Sequence, residues 1–396
     1  MADQFYFSRD TKVFLTQNGS TAVGWEIPVL DGFSFSQATN TSEITLNEMA
    51  DSNGKSRRSR QMFTDSYAPV EWSFSTYMRP FGAVPAGSGA IWEPSASISG
   101  NPQHAVEEAL WAYFVGHTSF TIGSGSTASN WNGDGGITNT DTSMTVDFEQ
   151  SEVAALGTFD LFFELGSATA GGDATYKLEG CVVSSVSIDF DIDGIATINW
   201  SGQGRMLTEF DSNSGNPPSF TKTISEGVST TSNFIRNRLT QLAVTTAGSG
   251  NFQTSYDLVL TGGNITFENN MTFLTPETLG SVNQPLGNVT GTRSVSGNFT
   301  CYLNHDSGKS ADLFEDIIES TDVITNDFNL VFKIGGTSTP NVAITLPNCH
   351  LEVPSHTMED IISLDVNFHA LPASVDPGST GSNYEAEIVY TGADLS

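Results

Sequence analysis

Phe159–Gly166 reads FDLFFELG and Phe328–Gly335 reads FNLVFKIG, one apolar pattern met twice at a spacing of 169 residues. The match continues without a gap at a spacing of 168, where Leu178, Cys181, Asn199 and Trp200 answer to Leu346, Cys349, Asn367 and Phe368. Unrelated β-segments rarely share a cysteine, an asparagine and an aromatic in one register, so the chain is expected to hold one module written twice. Upstream the likeness is looser. Val29–Phe35 (VLDGFSF) resembles Leu260–Phe267 (LTGGNITF), and Glu71–Pro80 (EWSFSTYMRP) resembles Gly297–Asn304 (GNFTCYLN).

One helical pattern follows in each copy. The first has Asn101 as N-cap, Pro102 at the first helical position and Gly116 just past the end, with Val106, Ala109, Leu110, Tyr113 and Phe114 as its apolar face. The second starts at Ser310 and is expected to turn Leu313, Phe314, Ile317 and Ile318 inward and its acids outward. The fold class is therefore mainly β (α+β). Two tandem domains are expected, each an antiparallel β-sandwich or half-barrel with one short flanking helix. They span 1–207 and 231–396, with 208–230 as a polar, turn-rich linker. Two Gly/Ser/Asn-rich insertions in the first domain, near 82–101 and 117–141, are expected on the surface.

Val186–Trp200 is the most legible hairpin. Val186, Ile188, Phe190 and Ile192 alternate with Ser187, Asp189 and Asp191, and the apolar set resumes as Ala196, Ile198 and Trp200. A three-residue turn at 193–195 would pair Ile192 with Ala196, Phe190 with Ile198 and Ile188 with Trp200, keeping the apolar residues on one face. Asp189 and Asp191 then face water, a channel or a neighbour. The same residues spell D-F-D-I-D-G, the opening of a calcium loop, but its twelfth position is Trp200 rather than a bidentate Glu. Strand alternation accounts for the three acids without a metal. Leu364, Val366 and Phe368 (in) alternate with Asp365, Asn367 and His369 (out), and Asn383–Gly392 supplies a last strand.

Charge narrows the function classes. Forty-five acidic against fifteen basic residues give a formal net charge of −30, which repels a phosphate backbone and disfavours conventional nucleic-acid binding. The three cysteines, Cys181, Cys301 and Cys349, make an odd count that fits a reducing compartment better than a disulfide framework. MADQFYFSRD lacks the basic and apolar regions of a signal peptide, and no apolar run approaches the roughly 18 residues of a membrane span. A soluble protein made in the cytoplasm is expected, with no membrane partner.

No constellation points to an enzyme. The six histidines (104, 117, 305, 350, 356, 369) fall in no hydrolase signature, and no G-x-S-x-G elbow or Walker lysine is present. His350, His356 and His369 are near in sequence but lack metal-ligand spacing, so no metal and no cofactor are expected. One basic patch stands out, Lys55, Arg57, Arg58 and Arg60. In so acidic a chain, a loop reaching an acidic surface on another copy uses these charges better than a nucleic acid would.

Strand, long basic loop, W-S-F-S-T-Y-M-R-P, short helix and closing hairpin together resemble the major tail tube proteins of tailed bacteriophages. Thr41–Pro80 (TSEITLNEMADSNGKSRRSRQMFTDSYAPVEWSFSTYMRP) carries the resemblance best. It implies tail-tube-like domains whose inner sheets join edge to edge into a barrel around a channel. It further implies rings of six domains, hence trimers of a duplicated chain with pseudo-sixfold symmetry, stacked as a homo-oligomer. The long loop after the second strand would reach the neighbouring ring. That role falls on Leu46–Phe63, with Glu48 and the basic cluster, and on Leu274–Ser294, with Pro276, Pro285 and Arg293. Asp189 and Asp191 become lumen-facing candidates, lining an acidic channel for genome delivery. Tape-measure, tail terminator and distal tail or baseplate proteins are the implied partners, viral DNA a transient passenger, and the virion tail the final location. Two rivals stand beside this: a distal tail hub forming single rings, and a carbohydrate-binding β-protein or adhesin stacking sugars on Trp25, Trp72, Trp92, Trp111, Trp131 or Trp200.

Overall fold

The alternation that marks Val186–Ile192 runs through most of the chain, and period-two alternation with abundant Thr and Val makes strands rather than helices. The computed structural model of the chain describes residues 5–17, 23–45, 60–83, 103–116, 120, 142–149, 156–166, 174–210, 222–224, 234–246, 252–279, 281–319, 328–358, 360–374 and 384–392. The first half contributes β1 (Lys12–Gln17), β2 (Val23–Ile27), β3 (Ser34–Thr45), β4 (Arg60–Tyr77), β5 (Gly82–Ala83) and β6 (Gln103–His104). Helix α1 (Glu108–Val115) follows, then β7 (Ser143–Glu149), β8 (Phe159–Leu165), β9 (Ala174–Asp191), β10 (Thr197–Gly204), β11 (Met206–Phe210) and β12 (Lys222–Ile224). The second half holds β13 (Gln241–Thr246), β14 (Ser255–Asp257), β15 (Leu260–Glu268), β16 (Met271–Leu274), β17 (Gly287–Thr290) and β18 (Ser294–Tyr302). It ends with helix α2 (Ser310–Glu319), β19 (Phe328–Ile334), β20 (Asn341–Leu351), β21 (Ser355–Thr357), β22 (Ser363–Ala370) and β23 (Tyr384–Thr391).

Nineteen of these strands form one hydrogen-bonded network, and among the described residues it closes no barrel. Strand β9 serves two layers. Its first part pairs with β8 and β11, and its second part, past Gly180 at φ +60°, pairs with β10 and then β15. In the first half the layer β3–β4–β10–β9 packs on β1 and β8, with Trp72 edge-on to Phe159 at 6.0 Å and Phe35 against Phe163 at 4.7 Å. In the second half Phe332 of β19 meets Phe368 of β22 at 5.8 Å, closing a second apolar interior. A mainly β sandwich fold results.

The halves repeat in pairing as well as in sequence. β8–β9 runs Phe159↔Cys181 then Leu161↔Leu178, and β19–β20 runs Phe328↔Cys349 then Leu330↔Leu346, with the same register shift at the same place. The thiol of Cys181 points to Leu178 O at 3.5 Å and that of Cys349 to Leu346 O at 3.6 Å. The halves are nonetheless sewn together. β15 lies along β9, and β7, from the first half of the sequence, pairs with β23 at the end of the second.

Several expectations change. The hairpin at 186–200 keeps the expected faces but pairs Ile188 with Ile198 and Val186 with Trp200, two residues off the expected register. Ile192 is exposed, not core. The longer turn is held open from outside: Gly194 takes φ +99°, and Ala196 N–H donates to Ile235 O at 2.9 Å. Helix α1 starts at Glu108 and not at 102; Gly116 does end it, at φ +81°. All eight of its residues are buried, so it is an internal plug rather than a flanking helix. α2 buries Leu313 but leaves Ile318 exposed. Two of its acids turn toward the protein, Asp312 accepting from Gln253 Nε2 (2.6 Å) and Asp316 from Tyr256 Oη (2.5 Å). Residues 208–210 and 222–224 of the expected linker are strands; its remainder lies outside the described residues, as do Asn101, Pro102 and nearly all of both insertions. Phe120, in the second insertion, is buried against Tyr113 rather than set on the surface.

Gly202 shows how tightly the layers meet. A Cβ there would sit 2.1 Å from Val182 O and 2.3 Å from the Trp72 ring. Neither the strand backbone nor a buried indole can move aside cheaply. Gly202→Ala is therefore expected to lower stability by about 3 kcal/mol, read as a shift in urea midpoint at unchanged m-value.

Candidate functional site

The outward face of the layer β3–β4–β10–β9–β15–β18–β22–β21 is a polar band laid across strands. Ser34 Oγ lies 2.8 Å from Ser73 Oγ, and Ser75 Oγ donates to Asn199 Oδ1 at 2.7 Å. Asn199 Nδ2 donates to Ser187 Oγ (3.2 Å) and to Asp189 Oδ2 (2.8 Å), while Asn264 Nδ2 donates to the other Asp189 oxygen. Further along, Thr300 and Thr357 donate to the two oxygens of Asp365 at 2.7 and 2.9 Å. Asn367 Nδ2 donates to Glu352 at 2.9 Å, and His369 Nε2 stands 3.2 Å from the same carboxylate. These hydrogen bonds hold the Glu352 carboxyl below the usual carboxylate range, Asn367 contributing most and His369 next. Exposed Glu71, Asp191 and Glu268 add acid to the band. The strands of this layer carry lysine or arginine only as Arg60, at the far tip of β4, and Lys177, in the part of β9 that pairs with β8 and β11.

Asp189 sits where the two halves meet. Along the β9–β15 junction Asp191 faces Gly262, Asp189 faces Asn264 and Ser185 faces Glu268. The carboxylate takes one amide from each side, so it fastens the junction as well as charging the face. Asp191 is exposed and accepts from the N–H of Ile192 at 2.6 Å. The outer ends of the layer differ from this filled centre. β3 pairs with β4 and β21 with β22; among the described residues no strand occupies their other edges. Unpaired edges of this kind are templates for another chain.

Two arms leave the same end of the layer. β3 and β4 project as a long hairpin with Ile44, Met62 and Phe63 exposed at its tip. Arg60 pairs there with Glu43 at 3.6 Å; Glu48, Lys55, Arg57 and Arg58 lie outside the described residues. The second arm, β16–β17 and its loop, lies against the first: Tyr67 N–H donates to Asn283 O (2.9 Å) and Asn283 N–H to Asp65 O (3.0 Å). Leu279 and Leu286 are exposed on it, Pro276 is half-buried and Pro285 buried. Arg293 leaves the loop set. It is buried, 2.7 Å from Glu385 and 2.5 Å from Phe148 O, so its charge is spent inside the chain.

His350 and His369 face each other across β20–β22, and His356 packs edge-on to Phe314 at 4.5 Å. Among the described residues no three His, Cys, Asp or Glu converge to hold a metal. All three cysteines are free and buried, and burial pushes their thiols up, Cys301 to about 12. Trp25, Trp72, Trp111 and Trp200 are core residues, so no sugar can stack on them; Trp92 and Trp131 lie outside the described residues. No described helix is long and apolar enough to cross a membrane.

Comparison with known proteins agrees with this geometry. The family model for phage tail tube proteins matches residues 8–370. The tail tube protein pb6 of Escherichia phage T5 is 27% identical over 380 residues, covering 94% of this chain and 74% of that one. A match over nearly the whole chain is decisive, and this chain belongs to the phage tail tube protein family, structural proteins of the virion tail.

Proposed function

We propose that the chain is a duplicated module that closes head-to-tail with copies of itself into rings, three chains and so six modules per ring, stacked as a tube. The observation that carries this is the β9–β15 junction. It is an edge-to-edge contact between two modules already made inside one chain, while β3 and β21 carry outer edges on which, among the described residues, no strand lies. A heterologous contact of that kind closes if its rotation allows. Closure would also remove the exposed edges. The polar band then lines the channel. Hydroxyls, amides and carboxylates without a cation give DNA phosphates no grip, so a genome can slide through. The two arms, with the basic cluster of 55–60, serve contact between rings. Tape-measure, terminator and distal tail proteins would meet the ends of such a tube. Nothing in the reading requires an enzymatic step.

Class averages of the purified protein test the ring. Trimeric, pseudo-sixfold rings stacked into filaments are expected; single closed discs would assign the chain to a hub, and a monomer at every concentration would reject assembly. The channel face has its own test. Asp189→Lys with Asp191→Lys turns two repelling groups per chain into attracting ones, and genome ejection from phage carrying them should slow several-fold. Ejection at the parental rate would remove these aspartates from the lumen.

A further inference from the structure

We propose that the aromatic segment Phe5–Ser8 of one copy is a latch that docks on the Tyr302 and Ile361–Ile362 end of a second copy. The inference rests on the ring reading and supplies one of its contacts. Its template lies inside the chain. Phe234 stands edge-on to Tyr77 with centroids 5.3 Å apart, and the Arg79 guanidinium lies 5.8 Å over the same ring. Ala196 N–H donates to Ile235 O at 2.9 Å and Asn237 N–H to Gly194 O at 3.2 Å, leaving Ile235 2% exposed. The start of the second half is thus clamped onto the hairpin end of the first.

The start of the first half is built alike. Phe5 to Thr11 matches Phe234 to Thr240 at a constant spacing of 229, ending in Ser8–Asp10 and Asn237–Leu239, two single 3₁₀ turns. Each turn is closed by a threonine N–H, Thr11 to Ser8 O at 3.1 Å and Thr240 to Asn237 O at 2.8 Å. Yet Phe5 and Tyr6 are 63% and 52% exposed. The acceptor end carries the same pattern of contacts, set two residues earlier than the 168 spacing. Met78 N–H donates to Ala196 O at 2.8 Å, and Leu303 N–H to Ile362 O at 2.9 Å; Tyr77 faces Thr197, and Tyr302 faces Ser363. There Ile361 and Met358 are 62% and 73% exposed. One latch is seated; Phe5–Ser8 and the Tyr302 end of the second half are the unseated halves of a like contact.

The latch adjoins the free edge. Tyr6, Phe7, Phe33, Phe35 and Leu165 line a cleft of about 360 Å³ beside the start of β3. The counterpart cleft in the second half lies beside Arg238, Leu260 and Gly262, and the end of β9, Phe190–Ile192, forms its far wall. Met358 occupies the position 168 residues after Phe190, so it is the side chain a second copy would bring to the open cleft. Exposed aromatic and aliphatic groups on matched surfaces bind by burial of apolar area.

Cysteine pairs read the contact directly, because the three native thiols are buried. Assembled protein carrying Phe5→Cys and Tyr302→Cys should give a ladder of covalent oligomers with a short bismaleimide, and neither single variant should. Separately, Phe5→Ser with Tyr6→Ser should keep the circular dichroism of the parent and raise the protein concentration needed for assembly at least roughly tenfold, the loss of one modest hot spot. Rings that form at the parental concentration without a ladder would overturn the latch and leave the ring standing. A parent protein that never assembles would overturn both.

Discussion

Trp111→Ala is expected to remove about 3–5 kcal/mol of stability, among the largest losses a single truncation gives. The indole is fully buried on α1, where side chains from both halves converge. It lies edge-on to Trp200 of β10 at 4.9 Å, Phe267 of β15 at 5.7 Å and Phe148 of β7 at 6.1 Å. These strands bound the two places where the halves are joined, so the cavity opens at the joint itself. A polar loss adds to the apolar one. Trp111 Nε1–H donates to the Tyr390 hydroxyl at 2.7 Å, and burial, then the charge of Glu107, drives the Tyr390 pKa far up, which keeps it a neutral phenol. Without the indole that hydroxyl loses its donor in the interior. Trp111→Phe refills most of the volume and lacks only the N–H, so it should cost about 1–2 kcal/mol. Urea unfolding of both variants checks the pair; equal losses would mean that the hydrogen bond, which both variants lack, carries everything and the packing nothing.

Much of this arrangement is legible in the sequence. The 168-residue match placed Cys181 on Cys349 and Leu178 on Leu346, and the structure gives both pairs the same partners across the same register shift. Faces were legible because one slip in register would send Val186, Ile188 and Phe190 into water. Register itself was not. Turn length at 190–196 is decided by Ile235 and Arg236, residues some forty positions downstream that a local pattern does not contain. β7 was hidden for the same reason: its alternation is ordinary, and nothing local says that its partner is β23 at the far end of the chain. Helix α1 misled through its composition. The sequence pattern predicts one apolar stripe, whereas all eight residues are buried because the helix has protein on all sides. Of the candidate surfaces, the two aspartates could be read from alternation. The seated and unseated latches were also written in the sequence, as FYFSRDT and FIRNRLT, but too short and too divergent to notice without the paired contacts.

Arg293→Met should cost about 3–5 kcal/mol, although methionine fills much of the same space. The guanidinium is 2.7 Å from Glu385 and 2.5 Å from Phe148 O, and lies 5.0 Å over the Phe148 ring. Both charged side chains are almost wholly buried. Desolvating the pair is expensive, and most of the mutational loss would come from the buried carboxylate deprived of its arginine rather than from the attraction itself. The partners also explain where the pair is. Arg293 immediately precedes β18, Glu385 belongs to β23 and Phe148 to β7, so one cation ties the crossing strand to the sheet it joins. Removing both charges separates the two contributions. Arg293→Met with Glu385→Met should recover to within about 1 kcal/mol of the parent if the buried carboxylate's loss of its arginine dominates. A double variant as unstable as Arg293→Met would instead assign the loss to the Phe148 carbonyl and the ring contact, and would make Arg293 a specific fastener of β7 rather than one member of an ion pair.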